Sequence, residues 1–139
     1  HVKNPTPRGR SVKDADEYLA HIKALIALNR QVTHWSIVRE EAQGDKGLLR
    51  YRLTLQDGSF LEVFERFQLV EGSLEISKYS FHWQNADGGL RKRWDNAAHH
   101  PETSTHPHHV HEGAEGSVLP HDSISVEEIL ALIASETAD

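Results

Sequence analysis

From Leu48 to Leu55, apolar and polar residues alternate with a period of two, and this pattern constrains the fold more than any other feature of the chain. Successive side chains of a β-strand point to opposite faces of a sheet, so the pattern predicts a strand with one buried face. The apolar members of the run are Leu49, Tyr51, Leu53 and Leu55. We expect them to be buried together against helices; an exposed Leu53 would mean that the predicted register is wrong.

Turn signals divide the middle of the chain into several such strands. The turns contain glycine, and the sharpest hairpin signal is Asp57-Gly58. Connections this short join only antiparallel neighbours, because a parallel crossover needs about a dozen residues or more. The predicted strands are 32–42, 48–55, 60–70, 74–84 and 90–95. They form an antiparallel meander of about five strands.

Helix signals flank the meander on both sides. Asp14, with Glu17 three residues later, marks the start of the first helix, and Ser125 with Glu128 marks the second. Each of these capping pairs is followed by apolar residues at helical spacing. Residues 97–121, between the meander and the second helix, are predicted to be a loop with at most one short extended piece. The sequence therefore predicts an α+β fold, with one N-terminal and one C-terminal helix packed on one face of the sheet. Residues 1–13 are predicted to be a flexible basic arm, and residues 14–139 a single domain.

The charge balance excludes some classes of partner. The chain has 15 Lys and Arg against 21 Asp and Glu, a net charge of −6 with histidine neutral, which disfavours tight binding of a nucleic-acid duplex. A local basic patch can still hold a short single strand. The chain contains no cysteine, which excludes disulfides and thiolate sites, and its longest apolar run, residues 24–28, is far shorter than the ~20 residues of a membrane span. We expect a cytoplasmic protein without membrane contact.

Histidine is the unusual residue of this chain, which has eleven of them, six between His99 and His111. In RNA cleavage, one imidazole can remove the proton from a 2′-hydroxyl while a second gives a proton to the leaving 5′-oxygen. An arginine can stabilise the charge on the phosphate, and Asp95 can orient one of the imidazole rings. The predicted catalytic residues are Arg93, Asp95, His99, His100, His108, His109 and His111. The predicted substrate-binding residues are Arg91, Lys92 and Trp94. This chemistry needs no metal ion or other cofactor, so none is expected.

Two other interpretations of the histidine-rich segment stay open. It can be a solvated loop without a function of its own. It can also bind a divalent metal, because His109-x-His111 followed by Glu115 has the ligand spacing of the first cupin motif, although the flanking glycines of that motif are missing. The alternative function is then a non-catalytic metal- or partner-binding module. Chelation separates a metal site from acid–base histidines.

A combination of segments resembles a known family. The segments are Tyr79 to Gln84, Arg93-Trp94-Asp95-Asn96, His99-His100 and Pro107-His108-His109-Val110-His111. Together they resemble the TumE-type toxins of bacterial and archaeal toxin–antitoxin pairs, over roughly residues 14–134. Two positions depart from the family pattern: Ala98 stands where a proline is expected, and His106 where an aromatic or aliphatic residue is expected. The resemblance implies a toxin neutralised by a separately encoded antitoxin, for which we expect an RNA substrate; a homodimer stays open.

Overall fold

The computed structural model describes residues 12–98, 100–114 and 116–137, which form two helices and seven strands. The elements in chain order are α1 (Ala15–Leu28), β1 (Val32–Gln43), β2 (Lys46–Leu55), β3 (Phe60–Val70), β4 (Ser73–Gln84), β5 (Leu90–Asp95), β6 (His109–Glu112), β7 (Val118–Pro120) and α2 (Val126–Thr137). Most of the predicted basic arm lies outside the described residues. Of its last two residues, Val12 is buried in the core rather than part of an arm.

All seven strands form one antiparallel sheet in the order of the sequence. The prediction of about five strands is wrong because it omits β6 and β7. These two strands lie inside residues 97–121, which were interpreted as a loop. These strands have four and three residues, too few for a period of two to be visible in a sequence rich in histidine and proline. Their pairing partners, and not their own composition, make them strands: β6 pairs with β5, and β7 pairs with β6.

One face of the sheet, here called the helix face, carries the hydrophobic core. The register places Tyr51, Val63, Phe81, Trp94 and Val110 side by side across β2 to β6, and all five are buried. The predicted burial of the four apolar residues of β2 is confirmed, with Leu53 fully buried. Both helices contribute to the same core, through Ala15, Tyr18, Leu19, Ile22 and Ile26 of α1 and Val126, Ile129, Leu130 and Ile133 of α2. The predicted α+β architecture is therefore confirmed apart from the strand count.

The start of each helix is fixed as the sequence predicts. The Asp14 side chain accepts a hydrogen bond from the Glu17 backbone N–H at 3.0 Å. Ser125 and Glu128 bond each other's backbone N–H groups at 3.0 and 3.1 Å, a complete capping box. Within the described ranges, neither helix has the length and apolar character needed to cross a membrane.

The opposite face, here called the open face, presents the other set of side chains. One row across β2 to β6 consists of Arg52, Glu62, His82, Arg93 and His111. The neighbouring row consists of Arg50, Phe64, Ser80, Asp95 and His109. The strand register thus gathers charged and histidine side chains on the face that the helices do not use.

A carboxyl group is buried inside the helix-face core. Glu65 of β3 is 1% exposed, and its Oε1 accepts a hydrogen bond from the Tyr18 hydroxyl of α1 at 2.6 Å. Burial outweighs this hydrogen bond and raises the pKa of Glu65 to about 7. The group ties α1 to the sheet, but its charged form is unfavourable in the folded protein.

Glu65→Gln should therefore change the pH dependence of stability. A carboxyl whose pKa rises from 4.5 to about 7 on folding binds its proton more tightly when folded, so stability falls as pH rises between these values. At pH 8 the variant, which keeps an acceptor for Tyr18, should be more stable than the unaltered chain by about 3 kcal/mol; at pH 4 the advantage should vanish. Urea denaturation at both pH values measures this. Glu71→Gln, in an exposed turn, is the control, and an equal pH response of the two variants would contradict the prediction.

Candidate functional site

The carboxylate of Asp95 is the centre of a compact polar cluster on the open face. Asp95 ends β5 and is 6% exposed. Its Oδ1 lies 2.9 Å from His109 Nε2, and its Oδ2 lies 3.1 Å from Arg93 Nε and 3.7 Å from His111 Nε2. The register explains this convergence, because Asp95 is opposite His109 and Arg93 is opposite His111, and residues two apart on a strand share a face.

His109 is held through both of its ring nitrogens. Nε2 faces Asp95, and Nδ1 lies 2.8 Å from the backbone oxygen of Pro107. Both ring nitrogens are therefore engaged by an oxygen atom of the protein. The residue is 1% exposed. His109 therefore positions the Asp95 carboxylate, and neither of its nitrogens is turned towards solvent.

Arg93 links the carboxylate to His111. Its Nη2 lies 3.2 Å from His111 Nε2, and since a guanidinium only donates, the imidazole nitrogen accepts. The Arg93 side chain is 29% exposed, whereas that of His111 is 4% exposed. The guanidinium thus extends from the buried cluster to the surface.

His100 covers the two histidines of β6. Its ring packs edge-on against them, with centroids 5.0 Å from His109 and 5.5 Å from His111. Its Nδ1 lies 3.2 Å from Oε2 of Glu102, and its side chain is 29% exposed. One ring nitrogen from each of the three histidines lies within 4.8 Å of the others. His100 is thus the solvent-facing histidine of the cluster.

The remaining predicted residues lie elsewhere. His108 is on the helix face, where its Nδ1 is 2.9 Å from the Tyr79 hydroxyl and burial lowers its pKa. Trp94 is buried in the core, and Lys92 is paired with Glu112 of β6 and Glu136 of α2.

Arg91 lies apart from the cluster as well. Its guanidinium contacts Asp57 and Asn85, and it lies over the Trp83 ring at 4.7 Å. His99 and Glu115 are outside the described residues. The structure thus brings together Arg93, Asp95, His100, His109 and His111, and places Arg91, Lys92, Trp94 and His108 away from them.

Two neighbours of the cluster were missed by the sequence reasoning. Glu102 contacts His100, and the signal for it is the two-residue spacing between the imidazole and the carboxylate. His82 of β4 lies opposite Arg93, in the open-face row. Alternation along β5 gives no signal for His82, because the β4–β5 pairing that places it there contains a register shift between Trp83 and Gln84.

Comparison with known proteins gives one match. A family model described as Toxin TumE matches residues 22–137, a range that begins within α1, ends at the last residue of α2 and includes every residue of the cluster. No curated protein and no solved structure matches the chain significantly.

Removing the central carboxylate should destabilise the fold. Asp95→Ala leaves buried His109 facing no acceptor at Nε2 and removes the partner of Arg93, so the free energy of unfolding should fall by about 3–5 kcal/mol. Glu102→Ala, which removes the exposed partner of His100, should cost less than about 1 kcal/mol. Urea denaturation at pH 7 compares the two. Similar small losses would show that Asp95 does not hold the cluster together.

Proposed function

The chain belongs to the TumE toxin family, and on that premise we propose that it arrests growth by cleaving RNA at the cluster of Arg93, Asp95, His100, His109 and His111. Membership of the family makes the protein a toxin, with an antitoxin as its partner. What the family does not supply is the chemistry. The cluster offers the groups that phosphodiester cleavage requires, on the face of the sheet that the helices leave accessible.

The reaction divides naturally among these side chains. One imidazole removes the proton from the 2′-hydroxyl, whose oxygen then attacks the adjacent phosphorus and forms a 2′,3′-cyclic phosphate. A second imidazole gives its proton to the departing 5′-oxygen. His100 and His111 suit this pair, because their centroids are 5.5 Å apart and His100 faces solvent. Asp95 and His109 act as positioning residues, since both nitrogens of His109 are already bonded.

The observation that carries the proposal is the contact between Arg93 and His111. A phosphate oxygen held by the exposed side of the guanidinium would lie close to an imidazole 3.2 Å from that same group. A positive charge beside the reacting phosphate stabilises the charge that develops on its oxygens in the transition state. Arg93 thus joins binding and chemistry at one point, and no metal ion is required for either.

A second candidate, a divalent metal site, rests on the mutual arrangement of the three histidines. Their ring centroids are 4.9–5.5 Å apart, and one nitrogen of each lies within 4.8 Å of the others. Three imidazoles are a common ligand set for zinc. His109 Nδ1 is bonded to a backbone carbonyl, as in many metal-binding histidines. His100 joins the two histidines of the sequence pattern, whose third member, Glu115, lies outside the described residues. The protein would then be a metal-binding module rather than a nuclease.

Cleavage of a labelled single-stranded RNA in EDTA tests the proposal. The unaltered chain should cut it, and His100→Ala and His111→Ala should each lower the rate by ~10²–10⁴-fold, because each removes one partner of the proton-transfer pair. His34→Ala, which changes an exposed histidine on the far edge strand β1, should keep full activity. An RNA with a 2′-deoxy sugar at the cut position should resist cleavage, since it lacks the attacking oxygen.

Growth arrest in a host without the antitoxin should follow the same order among the variants. If His100→Ala and His111→Ala cut RNA and arrest growth as the unaltered chain does, the cluster is not the active site. Cleavage that disappears in EDTA and returns with added zinc, together with calorimetric zinc binding lost in both variants, would overturn the metal-free reaction. Zinc binding and a lowered melting temperature in EDTA, without cleavage, would favour the metal-binding module.

A further inference from the structure

The open face is basic although the chain as a whole has a charge of −6. Beyond the cluster, Arg50 and Arg52 of β2, Arg66 of β3 and Lys78 of β4 lie on this face, as the register shows. Glu62 lies among them and is neutralised by Arg50 at 2.7 Å. Arg52, Arg66 and Lys78 are exposed, and none of them forms an ion pair with any residue in the described ranges. The face therefore presents these three cations to a partner, although the chain as a whole is acidic.

Aromatic rings lie between these cations. The Arg50 guanidinium is 4.5 Å from the centroid of the Phe64 ring, and that of Arg52 is 4.9 Å from the Phe60 ring. Phe60, the first residue of β3, is half-buried and lies at one end of this surface. Planar guanidinium groups and aromatic rings both stack with nucleic-acid bases, whatever the base.

This surface leads directly to the histidine cluster. The row that begins at Arg52 continues through Glu62, His82 and Arg93 to His111. Four strand spacings separate its ends, roughly 19 Å at ~4.8 Å each. A strand of several nucleotides can lie along such a row with its phosphates on the cations and one phosphodiester at Arg93.

We propose that the open face of β2 to β4 is the binding site for the single-stranded RNA that enters the cluster. Arg52, Arg66 and Lys78 contact its phosphates, and bases stack on Phe60 and on the guanidinium of Arg52. This inference rests on the proposed function, because it assigns the path by which that substrate reaches the reacting groups. A single strand fits better than a duplex, since unpaired bases are needed for stacking and a duplex hides them.

Binding of a 2′-O-methyl oligouridine tests the site without cleavage, because the probe has no free 2′-hydroxyl. Fluorescence anisotropy should show that the double variant Arg52→Glu/Arg66→Glu raises Kd roughly tenfold or more. Because two phosphate contacts are lost, the slope of the logarithm of the binding constant against the logarithm of the salt concentration should become less steep by about 1.4. Lys13→Glu/Arg30→Glu is the matched control, with the same change in net charge at exposed positions beside α1. It should keep Kd within about twofold.

The same variants separate this inference from the proposed reaction. With a cleavable RNA, Arg52→Glu/Arg66→Glu should raise KM and leave kcat near its original value, because the reacting groups are untouched. Weaker binding of the probe by this variant alone supports the site even if the chain never cuts RNA. Cleavage by the unaltered chain combined with unchanged Kd in this variant overturns the site and leaves the reaction standing. An equal loss of probe binding in both double variants also overturns the site. If Arg52→Glu/Arg66→Glu still binds RNA but is no longer neutralised by the antitoxin, the face is assigned to the antitoxin instead.

Discussion

The pairing of β6 with β5 is the interaction on which the candidate site depends. It sets Asp95 opposite His109 and Arg93 opposite His111, so that a guanidinium and two imidazoles each lie within 3.7 Å of one carboxylate. A shift of one residue would turn both histidines to the helix face. The contact between Asp95 and His109 and the strand register thus support each other, since each fixes the position that the other needs.

The two faces of the sheet serve different purposes, and the helices decide which is which. On the helix face, α1 and α2 cover the apolar side chains and enclose Glu65, whose raised pKa follows from that burial. The open face is left to charged side chains and histidines. Because side chains alternate along each strand, the same segments supply both the core and the polar surface. Trp94 and Asp95, adjacent in sequence, illustrate this: the ring is in the core and the carboxylate in the cluster.

The proposed cleavage of RNA would have to combine proton transfer with recognition of a polyanion. In this protein the histidines that suit proton transfer are placed at β6 and the loop before it, whereas Arg52, Arg66 and Lys78 are on β2 to β4. Arg93 lies between the two groups, with its Nε on Asp95 and its Nη2 on His111. The pairing of Glu62 with Arg50 leaves the surplus positive charge on Arg52, Arg66 and Lys78. An acidic chain can thereby present a basic surface without a basic composition.

The sequence by itself determined the local structure: the alternation of β2 and the capping residues Asp14, Ser125 and Glu128 depend on neighbours a few residues apart. It also placed Arg93, Asp95 and the β6 histidines in one candidate site. Only the tertiary structure decided that residues 109–112 form a strand, that His108 and Trp94 face the core, and that His100 covers His109 and His111. These outcomes come from pairing between segments distant along the chain, and the identity of a short strand's partner is not written in its own residues.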